Sequence, residues 1–459
     1  MNSYRKVFFI GIGGIGMSAL ARYFRTLGAE VSGYDLTSTS LTQQLVREGI
    51  TVFYDDDLSL YPKDAELVIY TPAIPSAHKG LNMYRSGNYL IKKRSEVLGE
   101  ISENYFTVAV AGSHGKTTVT SMLAHILYSC QKPMMAFLGG ICTNYESNFI
   151  YNSGPCNEKQ KIMIVEADEY DRSFHRLHPD VAIITAVDTD HLDIYGNKAE
   201  IDKAFIEFVG LLPSEGFLVI KKGQSIEPFI SGVSMLSYSL ESIFADVFCI
   251  RYSINQGHYT FDLNFRGEEI KNIMLRLAGP HNIENAIAAY TVSRYLGLNN
   301  EQICNALSSF KGIKRRFEKI FENERYTLID DYAHHPEEIK AFLRGVRELY
   351  PKRKITAIFQ PHLYSRTRDL ADEFAQSLSL ADDVVLLEIY PAREQPIPGV
   401  SSQLIYDRIN LKNKHIIEKK DLIDWIEAND TFEVLATIGA GDIDRFLPQI
   451  SLLLEKKVI

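Results

Sequence analysis

The stretch Ala111 to Thr118 reads A-G-S-H-G-K-T-T and stands between an apolar strand-like run, Phe106 to Val110, and a helix-like run from Val119 to Tyr128. Strand, glycine loop and helix in that order form a phosphate cradle. Gly112 and Gly115 let backbone N–H groups approach an anion with no Cβ in the way, while Ser113 and His114 complete the loop. The helix N-terminus adds its dipole, Lys116 reaches the terminal phosphates, and Thr117, followed by Thr118, supplies a hydroxyl for Mg²⁺. The glycine that usually opens such a loop is replaced by Val110, so the pattern is a shortened variant. The stretch predicts an ATP loop in an α/β domain.

Downstream, the apolar run Ile162 to Val165 predicts a strand with Glu166 at its C-terminal end, placed to hold Mg²⁺ beside the cradle. Of the rest of E-A-D-E-Y-D, with Asp168, Glu169 and Asp171, at least one reads as no more than an acidic turn. Val181 to Thr185 predicts another buried strand, and D-T-D-H-L-D at 188–193 follows it, which makes His191 a candidate metal ligand among acids. The Asn/Ser/Gly-rich residues 143–160 predict a surface loop, and the alternating runs between Gly216 and Leu277 predict an antiparallel meander. In G-P-H-N-I-E-N-A at 279–286, Pro280 suits a helix start. Asn282 and Asn285 share one face and could reach a nucleotide, with helix capping by Asn282 as the plainer alternative.

Upstream, Val7 to Ile10 predicts a strand, G-I-G-G-I-G at 11–16 a glycine loop, and the next residues through Leu27 an amphipathic helix; Val31 to Tyr34 then leads to Asp35. This spacing is a dinucleotide fingerprint, with Gly11, Gly13, Gly14, Ile15 and Gly16 around a pyrophosphate and Asp35 on a ribose. Alone it says NAD, yet its glycines permit close approach of any pyrophosphate, including that of a UDP-sugar. The strand Leu67 to Tyr70 ends in T-P-A-I-P from Thr71, where ligands of open α/β sheets collect. The K-K-R run at 92–94 reads as a solvated charge run, with phosphate binding as the alternative.

Beyond residue 313, K-R-R-F-E at 314–318 opens a new segment and L-I-D-D-Y-A-H-H-P at 328–336 ends a strand with two acids and two histidines. Strands at Ile355 to Phe359, Val384 to Ile389 and Phe432 to Ala436 predict a further α/β domain. Arg366 and Arg368, in the loop Q-P-H-L-Y-S-R-T-R-D, offer forks for carboxylate or phosphate.

A chain of 459 residues, 46% hydrophobic, can build two to four domains. Its net charge of −9 excludes nucleic acid as the main partner. Five cysteines, odd in number and without a C-x-x-C pair, suggest a reducing cytoplasm. No run approaches the roughly 18 apolar residues of a membrane span, so no membrane insertion is expected.

Taken in order, G-I-G-G-I-G-M-S, A-G-S-H-G-K-T-T, E-A-D-E, D-H-x-D, G-x-H-N-x-x-N-A, R-R-F-E, D-D-Y-A-H-H-P and F-Q-P-H-x-Y-S-R-T resemble the motifs of the Mur ligases over essentially the whole chain. The resemblance implies three domains: a Rossmann-like UDP-sugar domain at 1–102, a central P-loop ATPase domain at 103–313 with a parallel sheet and the meander, and a Rossmann-like amino-acid domain at 314–459. It implies ATP and Mg²⁺ as cofactors and a bacterial cytoplasmic enzyme of peptidoglycan synthesis, a monomer or weak homodimer. The histidine in the cradle, H-H-P, S-R-T-R-D and Y-P-A-R-E-Q-P-I-P-G resemble the member that joins L-alanine to UDP-N-acetylmuramate. By similarity Lys116 and Arg316 hold the transferred phosphoryl group, Thr117 and Glu166 one Mg²⁺, and His191 a second. Asn282, Asn285 and Asp331 contact ATP, and His334 and Arg366 face the amino acid. Many members carry arginine where this chain has Leu363.

Three rivals are weighed: a member that attaches a preformed peptide to the same sugar, an NAD-dependent oxidoreductase, and a nucleotide-binding scaffold that does not consume ATP. The oxidoreductase reading leaves the cradle, Glu166 and His191 without a role.

Overall fold

Lys6–Ile10, K-V-F-F-I, is apolar on both faces, and such a strand belongs at the centre of a parallel sheet covered by helices. The computed structural model, which describes residues 4–154, 160–188, 195–255, 258–392 and 394–457, places it there. The first sheet runs in the order Thr51–Phe53, Glu30–Tyr34, Lys6–Ile10, Leu67–Tyr70, Ile91–Lys93, all neighbours parallel. Strand order reverses beside Lys6–Ile10, so the glycine loop at 11–16 and Thr71 lie at the C-terminal ends of adjacent strands.

The second sheet has ten strands: Glu268–Leu275, His258–Phe265, Val247–Asn255, Ser234–Ser239, Phe217–Lys221, Val181–Ile184, Phe106–Ala111, Ile162–Glu166, Met134–Cys142 and Ser147–Asn152. The cradle strand Phe106–Ala111 is parallel to both neighbours, pairing Ala111 with Ile184 and Val110 with Glu166. That register brings the residues after all three strands to one rim.

Two expectations for this sheet need correction. Residues 143–160 were expected as a surface loop, but Ser147–Asn152 is an edge strand antiparallel to Met134–Cys142. Its polar residues face protein: Asn148 is buried and donates to Ser18 Oγ at 2.9 Å while its Oδ1 accepts from Arg22. The meander expected from Gly216 also begins later, because Phe217–Lys221 and Ser234–Ser239 continue the parallel order and Val247–Asn255 starts parallel to them. His258–Phe265 and Glu268–Leu275 are joined by Arg266 and Gly267, both at positive φ (51° and 92°), as a two-residue hairpin turn requires.

The third sheet runs Glu318–Glu322, Thr327–Asp331, Val434–Ile438, Ile355–Phe359, Asp383–Leu386, Lys414–Ile416, with the first pair antiparallel and the rest parallel. Neither edge strand was expected from the sequence: E-K-I-F-E and K-H-I are short and rich in charge, without the apolar run that marks the neighbouring strands.

The chain divides into two compact units, residues 1–252, 260–275 and 281–311, and residues 253–259, 276–280 and 312–459. Within the first, apolar residues from both sides of position 102 form one core, in which Tyr23 meets Phe137 and Phe149 at ring separations of 5.6 and 6.1 Å. Each such buried aromatic contributes on the order of 2 kcal/mol.

Candidate active site

The cradle loop leaves the sheet through Gly112 (φ 138°) and enters the helix Lys116–Ser129 through Gly115 (φ 81°). Both positions are closed to a side chain. A Cβ on Gly112 would stand 2.1 Å from Thr185 Oγ1, and one on Gly115 2.6 Å from Asn285 Oδ1. Thr185 Oγ1 lies 2.5 Å from the His114 carbonyl oxygen, and Ser113 N donates to the Ala186 carbonyl at 2.9 Å. The strand beside the cradle therefore shapes the loop. Thr185, read from sequence as a strand residue and no more, fastens it.

Lys116 is the first residue of its helix, where the dipole disfavours a cation. Its Nζ donates to the Gly112 carbonyl at 2.5 Å and pairs with Glu169 Oε1 at 2.8 Å. Glu169 is 3% exposed, so this acid is no solvated turn residue but the internal counter-ion of the cradle lysine. Thr117 Oγ1 donates to Glu166 Oε1 at 3.0 Å, while Glu166 Oε2 accepts the Gly139 amide at 2.9 Å. A hydroxyl and a carboxylate oriented by backbone fit Mg²⁺, a hard cation that takes one or two carboxylates and leaves its other positions to phosphate and water. Among the described residues no group of three or more His, Cys, Asp or Glu converges on a metal position. His191 lies outside the described residues.

Asn282 and Asn285 sit in the first turns of the helix Pro280–Tyr295, both buried, with Asn285 Nδ2 donating to Asn282 Oδ1 at 3.2 Å. Asn282 is inside the helix rather than its cap, and Asn285 is brought against Gly115.

At the other glycine loop, Gly11 (φ 86°) turns the chain, and Asp35 Oδ2 accepts the Gly13 amide at 2.7 Å. A Cβ on Gly11 would meet Thr71 Cγ2 at 2.9 Å, which brings Thr71 to the loop. Gly14 precedes the helix Ile15–Thr26 as its N-cap. The K-K-R run is corrected here: Arg94 is no free surface charge, because its Nη1 would lie 2.6 Å from a Cβ on Gly16 and its Nη2 is 3.5 Å from Asp168. It links the first glycine loop to the acids after the cradle.

In the second unit, the two arginines of R-R-F-E divide. Arg315 is part-buried, with Nε on Asp330 Oδ2 at 3.0 Å, whereas Arg316 is exposed. Asp331 gives both oxygens to backbone amides, Oδ2 to Phe317 at 2.7 Å and Oδ1 to Ala333 at 2.8 Å. Desolvation of its carboxyl outweighs those bonds and pushes it up to about 7, and burial also raises neighbouring Asp330. His334 and Arg366 meet through Nη1 of Arg366 and the His334 carbonyl at 3.3 Å. His362 joins them, its ring 6.0 Å from His334 and stacked on Tyr390 at 5.8 Å. Burial lowers its basicity most, followed by the neighbouring His334 ring and the Arg366 guanidinium. Glu394 accepts from Ser365 N at 2.9 Å, tying the two C-terminal loops together. Arg368 turns to its neighbour Asp369 at 2.7 Å. Leu363 holds φ 71° just before the short helix Tyr364–Asp369.

Residues 6–106 match the Mur ligase family catalytic domain, 110–293 the Mur ligase middle domain and 315–441 the Mur ligase glutamate ligase domain. The UDP-N-acetylmuramate–L-alanine ligase of Porphyromonas gingivalis is 46% identical over 449 residues, covering 96% of this chain and 97% of that protein. The solved UDP-N-acetylmuramate–alanine ligase of Thermotoga maritima is 28% identical with a TM-score of 0.82, covering 98% of this chain and 99% of that one. A murein peptide ligase from Psychrobacter arcticus, at 23% identity, shares the fold with a TM-score of 0.68 over 97% of this chain and 99% of its own. No helix among the described residues is long and apolar enough to cross a membrane.

Proposed function

The chain belongs to the Mur ligase family, and from that membership we propose that it joins L-alanine to the lactyl carboxylate of UDP-N-acetylmuramate, giving UDP-N-acetylmuramoyl-L-alanine, ADP and phosphate in peptidoglycan precursor synthesis. The observation that carries the reading is the cradle: Lys116 and the Thr117–Glu166 pair at the rim of three parallel strands, in a chain matching such ligases end to end.

A carboxylate does not condense with an amine in water, so it must first be activated. Its oxygen attacks the terminal phosphorus of ATP and ADP leaves; the amine of alanine then attacks the acyl phosphate, loses a proton and expels phosphate. Catalysis of such transfers is positioning and charge neutralisation. Gly112 to Thr118 cradle the phosphates, and Lys116 and Arg316 neutralise the group in flight. Exchange of Glu169 for a phosphate oxygen gives Lys116 a partner better placed for that work. Thr117, Glu166 and His191 would hold Mg²⁺, which supplies charge neutralisation when bound. Asn282, Asn285 and Asp331 serve ATP, Asp331 chiefly by shaping the turn of Arg316. Gly11, Gly13, Gly14, Ile15, Gly16, Asp35 and Thr71 serve the UDP-sugar, and His334 and Arg366 the alanine.

The second reading is attachment of a preformed peptide to the same UDP-sugar. Phosphate release, measured with UDP-N-acetylmuramate, ATP and each amino acid or peptide in turn, decides between them. Turnover with L-alanine is expected; turnover with a peptide and not with alanine reverses the assignment, and ATP binding without any release removes the ligase reading.

A further inference from the structure

Arg316 stands between two residues with unusual backbones. Arg315 (φ 60°) and Phe317 (φ 47°) are both left-handed, a conformation that costs free energy in any residue bearing a Cβ and that glycine would adopt freely. The sequence keeps side chains there, and both are anchored. The Arg315 guanidinium spans the ends of two neighbouring strands, Thr327–Asp331 and Val434–Ile438. Its Nε donates to Asp330, which is fully buried, its Nη1 to the Gly441 carbonyl at 3.1 Å, and its Nη2 to the Gly439 carbonyl. The group also lies over the Tyr332 ring, 5.1 Å from its centroid. Phe317 packs edge-on against Phe342 at 5.2 Å.

The backbone of the turn is tied as closely. Arg315 N donates to Glu318, Phe317 N to Asp331, and Tyr332 N to the Arg315 carbonyl at 2.6 Å, while Arg316 N closes a bridge to Ile313 at 3.1 Å. Strain retained at two positions and held by neighbouring contacts marks a segment whose geometry is used. What the geometry delivers is one exposed side chain, Arg316, pointed by residues on both sides.

We propose that Arg315 is a positioning residue for the ligation: it bolts the R-R-F-E turn across two strand ends and thereby fixes the direction from which Arg316 meets the phosphoryl group. The proposal rests on the phosphoryl role of Arg316 given above. Lysine in place of Arg315 keeps the charge beside Asp330 but cannot fork to both glycine carbonyls.

The test is a double-substitution cycle on the full-length enzyme with saturating ATP, UDP-N-acetylmuramate and alanine, using Arg315→Lys, Arg316→Ala and both together. Arg315→Lys is expected to lower kcat about tenfold or more, with KM for UDP-N-acetylmuramate unchanged, and to have no effect once Arg316 is alanine. The isosteric Asp330→Asn, run in the same cycle, guards against a folding defect and should give a smaller loss that also vanishes in the Arg316→Ala background. Losses that multiply in the double variants overturn the proposal, as does wild-type kcat in both single variants at 315 and 330. Wild-type kcat in Arg316→Ala would instead strike at the phosphoryl role of Arg316 itself, and the inference would fall with it.

Discussion

The two glycine loops follow the same plan, strand, tight turn, helix, yet carry opposite electrostatics within their own sequences. G-I-G-G-I-G opens a helix with neither acid nor base in its first turn, and a loop amide is taken by Asp35. A-G-S-H-G-K-T-T opens a helix on a lysine, set against the dipole and compensated by Glu169 and a carbonyl. The first loop borrows its cation from far along the chain, where Arg94 covers Gly16. Glycines specify how closely a phosphate can approach; the side chains around them specify how much charge it meets. A loop with its own lysine suits a phosphoryl group that is transferred, and one without suits a diphosphate that is merely held.

The comparison is broken most directly at Lys116. Lys116→Ala is expected to lower the rate of phosphate release by about a hundredfold or more, a loss on the order of 3 kcal/mol in transition-state stabilisation, while calorimetric affinity for UDP-N-acetylmuramate stays unchanged. Because the substitution also strands the buried Glu169 carboxylate, Lys116→Ala/Glu169→Gln separates lost chemistry from lost stability. Near-normal turnover in either variant would erase the distinction between the loops.

How much of this could be read from the chain follows from where each partner lies. The cradle, its strand and its helix are contiguous, and local pattern captured them; the place of Glu166 beside Thr117 followed because it ends the strand next to the loop. Thr185, Arg94 and Asn148 act through contacts that register and packing create, and their local sequences say threonine at a strand end, basic run and polar loop. Glu169 could not be told from its acidic neighbours for the same reason: four acids in six residues look alike until one of them is found 3% exposed against a lysine. In the second unit, the resemblance singled out Arg316 of R-R-F-E, but the anchoring of Arg315 and the left-handed backbone on either side of Arg316 have no signature in residues that carry side chains. The charged edge strands carry no apolar run for a local pattern to find, because an edge tolerates charge along its length.

A second substitution sharpens the comparison from the side of the first loop. A Cβ at Gly13 would stand 2.7 Å from Thr42 Cγ2 and 2.8 Å from Asp35 Oδ2, so Gly13→Ala must displace the carboxylate that holds this turn. The expected result is a KM for UDP-N-acetylmuramate raised about tenfold, with KM for ATP unchanged. Equal increases in both constants would mean that the loops do not divide the two nucleotides between them.

The smallest effect concerns the helices behind the loops, each of which buries a polar residue. The helix after the first loop carries Arg22, held by Glu48 at 2.7 Å and by Asn148. The cradle helix carries His125, whose Nδ1 and Nε2 lie 2.7 Å from Tyr145 Oη and 3.0 Å from Ser309 Oγ. Two hydroxyls satisfy a neutral imidazole, one accepting and one donating, and burial lowers the histidine from its ordinary 6.5 to about 4. The unfolded chain therefore takes up a proton as pH falls through 6.5, and the folded chain does not until about 4. Stability contributed by the neutral ring is complete well above 6.5 and drains away through that window, by about 1.4 kcal/mol at pH 5.5. His125→Gln removes the titration while keeping a donor and an acceptor. Between pH 7.5 and 5.5 the urea midpoint for loss of the cradle helix, followed by hydrogen exchange, should fall further in the wild type than in the variant, with turnover at pH 7.5 little affected. Parallel acid dependence in the two proteins would show that the His125 ring does not contribute to the acid sensitivity of the cradle helix.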